Sequence, residues 1–329
     1  MKNGGKMGGT VIKAENLTKL FSLDAGFFAR QDKFVYAVND VSFSLERGKT
    51  YGLVGESGSG KTTAARILIQ MYMQNSGKIF YNQNDVGKFS KSELKSYREK
   101  VKYIFQDPGK SLNPRMSIYS ILTSAYKSSS LWPGREKARV EAAGLLDEVG
   151  LDPKDLERRP SEFSGGQRQR ISIARALIMR PEVLICDEIV SALDVSVQGQ
   201  ILNLLVDLKK SRNLSFLFIA HDLRVSCYFC DTIGVMYSGM IMEEAPAESL
   251  YKNALHPYTK LLFASTEIKK ENQNSRKNSA SSEIRTVLGP LKGCPFSSRC
   301  PNSSLKCLNE VPKLKEIEKG HKVRCHFIG

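Results

Sequence analysis

Four short runs hold the residues best suited to chemistry. Gly55-Glu56-Ser57-Gly58-Ser59-Gly60-Lys61-Thr62, followed by Thr63, fits the pattern G-x-x-x-x-G-K-[ST]. Glycines at those positions let backbone N–H groups turn inward around phosphate oxygens. Lys61 adds a positive charge for the outer phosphates, and the Thr62 hydroxyl suits Mg2+. Asp187 and Glu188 end the apolar run Val183-Leu184-Ile185-Cys186. A carboxylate there can hold Mg2+, and a second one beside it can orient or deprotonate an attacking water. Between these runs lies Ser164-Gly165-Gly166-Gln167, just ahead of QRISIARAL. Small residues opening a helix leave its N–H groups accessible, which makes a second anion site. The fourth run is Cys294, Cys300, Cys307 and Cys325, spaced C-x5-C-x6-C-x17-C.

The elements that must position these groups follow from hydrophobic periodicity. Val11–Leu17 and the alternating Val35–Glu46 read as strands. Thr50–Val54 reads as a buried strand feeding the glycine run, and Thr62–Gln70 as the helix after it. Val101–Phe105, Val183–Cys186 and Leu214–Ala220 are strand-like, and Thr232–Tyr237 with Met240–Glu244 looks like a closing pair. Val195–Arg212 reads as a helix. Ile171, Ala174 and Ile178 recur on one helical face. Strands alternating with helices predict an α/β core with a largely parallel sheet. The helix-rich stretch from about 113 to 180 interrupts that alternation and reads as a helical insertion. An ordinary Gly/Ser turn is the bland alternative for residues 55–62, and the strand before and helix after argue against it. One phosphate cradle plus one separate anion site suggests a dimer with shared sites.

The bulk composition sets limits. With 329 residues and 41% hydrophobic content, the chain can bury one sizeable core and an appended small domain. No apolar run approaches the ~20 residues of a membrane-spanning helix. The first ten residues lack the apolar stretch of a secretory signal. The expectation is a cytoplasmic protein that at most touches a membrane from that side. The net charge is +15, which suits nucleic acid, an anionic membrane surface or nucleotide phosphates. Seven cysteines, an odd count, argue against a disulfide framework in the cytoplasm. Cys227 and Cys230 lie in an apolar stretch and, like Cys186, read as small buried hydrophobes.

The run Phe163-Ser164-Gly165-Gly166-Gln167-Arg168-Gln169-Arg170, placed between the cradle and the Asp187-Glu188 pair, strongly resembles the signature of ABC transporter ATPases. FQDPGKSLNPRMSI, CDEIVSALDVSVQGQILNLL and HPYTKLL narrow the resemblance to the ATP-binding subunits of oligopeptide/dipeptide importers. It covers about residues 11–265. The resemblance implies a P-loop NTPase fold, an ABC nucleotide-binding domain with a RecA-like core, an antiparallel β subdomain and a helical subdomain. A flexible 1–10, a polar linker at 266–288 and a small Cys-rich domain at 289–329 complete the expected organisation.

It also implies roles. ATP and Mg2+ are the expected cofactors, with Thr62, Gln106 and Asp187 around the metal. Glu188 is the expected base, Gln106 the sensing glutamine, and His221 with Lys61 the groups at the γ-phosphate. Phe21 resembles the aromatic that stacks on adenine. Ser164, Gly165, Gly166 and Gln167, with Asp194, would contact ATP held by a partner's cradle. Ile189 departs from the branch, which usually has Pro there, but removes no catalytic group. By chemistry alone the four cysteines suit an iron–sulfur cluster or zinc about equally, a disulfide pair less well, with His321 and His326 as other zinc ligands. The resemblance implies a [4Fe–4S] cluster on Cys294, Cys300, Cys307 and Cys325, zinc remaining the alternative.

The expected partners are a second ABC ATPase subunit (a paralogue), two transmembrane permease subunits and an extracytoplasmic binding protein, with this chain at the cytoplasmic face of the membrane. The solute would be a peptide, with nickel or an oligosaccharide as alternatives carried by relatives of the branch. A nucleic-acid-linked ABC ATPase is the contrasting reading. It would need a long coiled coil between cradle and signature, or two cassettes, and neither is visible.

Overall fold

The computed structural model describes residues 9–22, 34–271, 289 and 291–328, without the side chains of 266–271. Two further aromatics close to Phe21 in sequence, Phe27 and Phe28, most of the linker and the first eight residues lie outside them. The chain divides into two compact units.

One unit comprises Thr10–Leu45, Thr50–Gly87 and Phe218–Gly329. It contains a four-stranded sheet in the order Phe34–Glu46, Thr10–Ser22, Ser76–Tyr81, Asn84–Asp85. Thr10–Ser22 runs antiparallel to Ser76–Tyr81, with Ile12 opposite Tyr81 and Ala14 opposite Ile79. Val38, Val41, Phe43 and Leu45 are buried along Phe34–Glu46, close to the period of two that the sequence shows. The register slips between Glu15 and Thr18. There Asn16 takes a positive φ of 48° and donates from its side chain to Asp40 at 2.7 Å.

The same unit holds a second sheet. Thr50–Val54 is buried at all five positions and runs parallel to Thr232–Tyr237, with Tyr51 opposite Thr232 and Val54 opposite Val235. Strands buried on both faces read as continuous apolar runs, which is why this one lacks alternation. Ser238 and Gly239, both at positive φ, turn the chain into Met240–Pro246, antiparallel to Thr232–Tyr237. His321–Val323 then pairs antiparallel with Met240–Pro246, and Lys315–Glu318 with His321–Val323. At that junction Glu243, fully buried, accepts from the backbone N–H groups of Leu255 and His256 and pairs with His321 at 2.8 Å. Burying a carboxylate requires this degree of satisfaction.

The other unit comprises Gly9, Glu46–Lys49 and Lys88–Leu217. Val101–Ile104 and Val183–Asp187 pair in parallel, Val101 opposite Val183 and Ile104 opposite Cys186. Helices Lys91–Lys100, Ile118–Tyr126, Arg135–Glu148, Gly165–Leu177 and Val195–Arg212 belong to it. Ser90, Ser117 and Ser164 cap three of them by accepting a backbone N–H within the first turn. Ile171, Ala174 and Ile178, the predicted face, are all buried. Ser215–Ala220 crosses from this unit into the other.

The elements expected from the sequence are present with some ends shifted, whereas Ser76–Tyr81, Lys91–Lys100, Lys315–Glu318 and His321–Val323 were not among them. The helix after the glycine run is Lys61–Leu68. The stretch around Cys227 and Cys230 is helical only over Leu223–Phe229. Cys230 caps that helix and is buried, so the hydrophobic reading suits it, whereas Cys227 is half-buried.

Candidate nucleotide site

The strand Thr50–Val54 delivers the glycine run directly. A Cβ at Gly55 would lie 2.1 Å from the Met236 carbonyl oxygen, and one at Gly60, whose φ is 104°, would lie 2.2 Å from that of Ala37. Only glycine fits those two positions. Gly239 N–H donates to the Ser59 carbonyl at 2.9 Å, so the turn after Tyr237 braces the loop. Gly60 opens the helix Lys61–Leu68 without a side-chain cap. First-turn N–H groups lacking an intrahelical partner are the donors that phosphate oxygens take up. Lys61 is buried, and its Nζ donates to the carbonyls of Gly55 (2.7 Å) and Glu56 (2.9 Å). Thr62 and Thr63 are half-buried beside it.

Phe21, at the end of its strand, meets Tyr72 edge-on at 5.4 Å, with Lys19 Nζ 5.2 Å from its ring centroid. Arg66, on the helix after the cradle, donates to the Tyr72 hydroxyl at 3.2 Å. His221 is exposed just after Ser215–Ala220, and Asp222 beside it caps the helix Leu223–Phe229.

In the other unit, Asp187 ends the buried strand and accepts a hydrogen bond from the Tyr103 hydroxyl. Glu188 adopts φ 48°, a left-handed conformation that a residue with a Cβ adopts at a cost. Ser191 secures it from both backbone and side chain, its Oγ donating to the Glu188 carbonyl at 2.8 Å. Gln106 Nε2 donates to Glu188 Oε2 at 2.9 Å. The two residues singled out for metal sensing and water activation are thus hydrogen-bonded, although 82 positions separate them.

At the signature, Ser164 Oγ accepts the Gln167 N–H at 3.3 Å and Gln167 Oε1 accepts the Ser164 N–H at 2.9 Å. This reciprocal pair is a capping box and fixes where the helix begins. A Cβ at Gly166 would lie 2.6 Å from Val197 Cγ1, so packing alone already favours glycine there. Asp194, exposed, sits at the N-cap of Val195–Arg212.

The four tail cysteines are free thiols, Cys307 buried and the others half-buried. Cys294 N–H donates to the Cys307 carbonyl at 2.7 Å. Burial, followed by the neighbouring Cys307, Cys300 and Cys325, pushes the Cys294 thiol up to about 11. The donor chemistry and neighbourhood suit a thiolate-bound metal centre. Among the described residues, however, no group of three or more His, Cys, Asp or Glu side chains is arranged to hold a metal ion. The expected cluster or zinc site is therefore not assembled in the structure. His321 is committed to Glu243, and His326 Nε2 lies 2.9 Å from the Glu310 carbonyl oxygen.

Sequence reasoning missed several contacts. Tyr103 and Tyr72 have no local signature, and Ser191, though within the run CDEIVSALDVSVQGQILNLL, gave no sign of its bonds to Glu188. Arg299 reaches the Glu56 carboxylate with both terminal nitrogens, at 2.8 and 3.0 Å, and Tyr258 accepts the Glu56 N–H at 2.9 Å. Tyr258 lies inside HPYTKLL, a run noticed in the sequence but given no role.

The ABC transporter family matches residues 38–191, and the family described as the C-terminal region of oligopeptide/dipeptide transporters matches residues 242–307. The chain is 42% identical to the oligopeptide transport ATP-binding protein AppF of Bacillus subtilis (strain 168), over 97% of both chains. It is 40% identical to a probable peptide ABC transporter ATP-binding protein of Sinorhizobium fredii, over 97% of this chain and 90% of that one. Among solved structures it resembles cbiO1 of Clostridium perfringens, part of an ABC transporter complex, with TM-score 0.62 and 23% identity over 80% of this chain and 94% of that one. A bacterial ABC transporter cassette solved as a dimer gives TM-score 0.63 at 25% identity, over 72% of this chain and 98% of that one. Among the described residues, no helix is long and apolar enough to cross a membrane. The cradle, the acidic pair, the capped signature helix and relatives matched over nearly the whole length place this chain in the ABC transporter family, among the ATP-hydrolysing subunits of the oligopeptide/dipeptide branch.

Proposed function

We propose that this chain is the ATP-hydrolysing subunit that energises a peptide importer from the cytoplasmic face of a membrane. The observation that carries the chemistry is the Gln106–Glu188 hydrogen bond beside Asp187. It holds together the glutamine and the carboxylate to which metal sensing and water activation are assigned in this reading. The near full-length similarity to peptide transport subunits supports the solute class.

Each residue has a defined task in this reading. The cradle amides from Gly55 to Thr63 and the Lys61 ammonium neutralise phosphate charge. Thr62, Asp187 and Gln106 would hold Mg2+, which would supply positive charge to offset that of the phosphates. Glu188 takes the proton of the attacking water or orients that water. His221 donates toward the γ-phosphate, and Phe21 lies against adenine. Ser164, Gly165, Gly166 and Gln167, with Asp194, engage ATP on a second ABC subunit, a paralogue of this one. Two permease subunits and an extracytoplasmic binding protein complete the machine. Hydrolysis resets the subunit pair and so the permease. The test is ATP-driven uptake of a labelled peptide by vesicles containing the assembled transporter. Uptake that needs no hydrolysis by this subunit would overturn the reading.

The tail cysteines Cys294, Cys300, Cys307 and Cys325 are proposed as ligands of a [4Fe–4S] cluster. Their free thiols, and the electrostatic influence of Cys307, Cys300 and Cys325 on Cys294, support it. Such a centre would tie together a segment too short to bury a core of its own. Protein purified without oxygen should contain stoichiometric iron and acid-labile sulfide, lost in Cys300→Ser. Zinc without iron, or no metal, would contradict this assignment and leave the ATPase standing.

A further inference from the structure

Arg299, in the cysteine-bearing segment, reaches the phosphate cradle. Arg299 forms a two-pronged ion pair with Glu56, the first variable position of the cradle, at 2.8 and 3.0 Å. Both side chains are mostly buried, at 22% and 28% exposure. Matched guanidinium–carboxylate forks of this kind fix direction as well as charge. The fork rests on an aromatic bed. Arg299 lies 5.8 Å from the ring centroids of both Tyr237 and Phe296. Tyr237, Tyr258 and Phe296 pack on one another with centroids 4.7 to 5.3 Å apart. Tyr258 also takes the Glu56 backbone N–H at 2.9 Å. Backbone and side chain of Glu56 are thus both held by residues more than 200 positions away.

Glu56 needs such a partner. A carboxylate inside an anion cradle repels the anion it serves, and its field acts at short range through partly buried protein. Arg299 cancels that charge and turns the carboxylate toward the aromatic bed.

We propose that Arg299 is a positioning residue for ATP binding, through which the cysteine segment sets the affinity of the phosphate cradle. This rests on the cradle being the ATP site. It adds a determinant of affinity that acts through Glu56 and touches neither nucleotide nor the reacting atoms.

The test is ATP turnover by the assembled transporter carrying Arg299→Gln, Arg299→Lys, Glu56→Gln or the double variant. Iron content and thermal melting are measured on each preparation. Arg299→Gln should raise KM for ATP roughly tenfold and leave kcat within about twofold. Arg299→Lys should recover part of the loss, since it restores charge but not the fork. Glu56→Gln alone should raise KM less than about threefold. Added to Arg299→Gln, it should bring KM back toward wild type, because the uncompensated carboxylate is gone. An unchanged KM, a fall in kcat alone, or a double variant as weak as the two singles combined would overturn the proposal. So would a KM rise that appears only in variants that lose iron. If Arg299→Gln does not fold, Arg299→Lys and Glu56→Gln decide the matter. Failure of the ATPase reading itself would show separately, as turnover that survives Glu188→Gln.

Discussion

His256 shows how a single side chain records its surroundings. It is 2% exposed, and its Nδ1 accepts the Tyr258 N–H at 3.0 Å. Burial pushes the imidazole down from 6.5 to about 4. The folded chain therefore resists a proton that the unfolded chain accepts. The stability that His256 allows is complete above pH 6.5 and falls as pH drops toward 4, by up to about 3 kcal/mol. Denaturant melts at pH 7 and pH 4.5 should show wild type losing more stability than His256→Asn, whose amide oxygen can still accept the Tyr258 N–H. Equal losses would contradict this. Glu188 is the other instructive residue. Its identity was legible from its place after Asp187. Its left-handed backbone and its bond to Gln106 were not, because they depend on Ser191 and on a loop 82 residues earlier.

At the level of elements, local signals were read well. Thr50–Val54 and Val195–Arg212 occupy the predicted ranges, because an apolar run and an uninterrupted helical stretch need only nearby residues to declare themselves. The signature helix begins at Gly165 because Ser164 and Gln167 cap it reciprocally. The role of Gly166 was legible only as an absence of side chain. The structure adds Val197, a stiff β-branched neighbour that would meet a Cβ at 2.6 Å. Gly166→Ala gains up to about 1 kcal/mol of helix propensity but costs roughly 1–3 kcal/mol in overpacking. It should therefore lower the melting temperature, and Val197→Ala in the same chain should restore it. A Gly166→Ala protein that melts at or above wild type would show that the helix moves aside freely. Long-range pairings escaped sequence reading altogether. Glu56 with Arg299 and Glu243 with His321 join residues 243 and 78 positions apart, and no periodicity encodes such a partner.

At the scale of the molecule, the motifs fixed the family because their order and spacing recur together: cradle, signature, acidic pair, then histidine. The solute class rests on similarity to peptide transport subunits rather than on any single residue. The central claim is that Glu188 drives ATP turnover and that this turnover drives solute movement. The most direct measurement is Glu188→Gln in the assembled, membrane-reconstituted transporter, with ATP hydrolysis and labelled-peptide uptake followed together. The isosteric amide keeps the hydrogen-bonding shape but removes the base, a loss of at least about 100-fold in turnover. The account predicts that hydrolysis at this subunit's cradle and peptide uptake fall together while ATP binding persists. Hydrolysis and uptake at the wild-type rate in Glu188→Gln would contradict it.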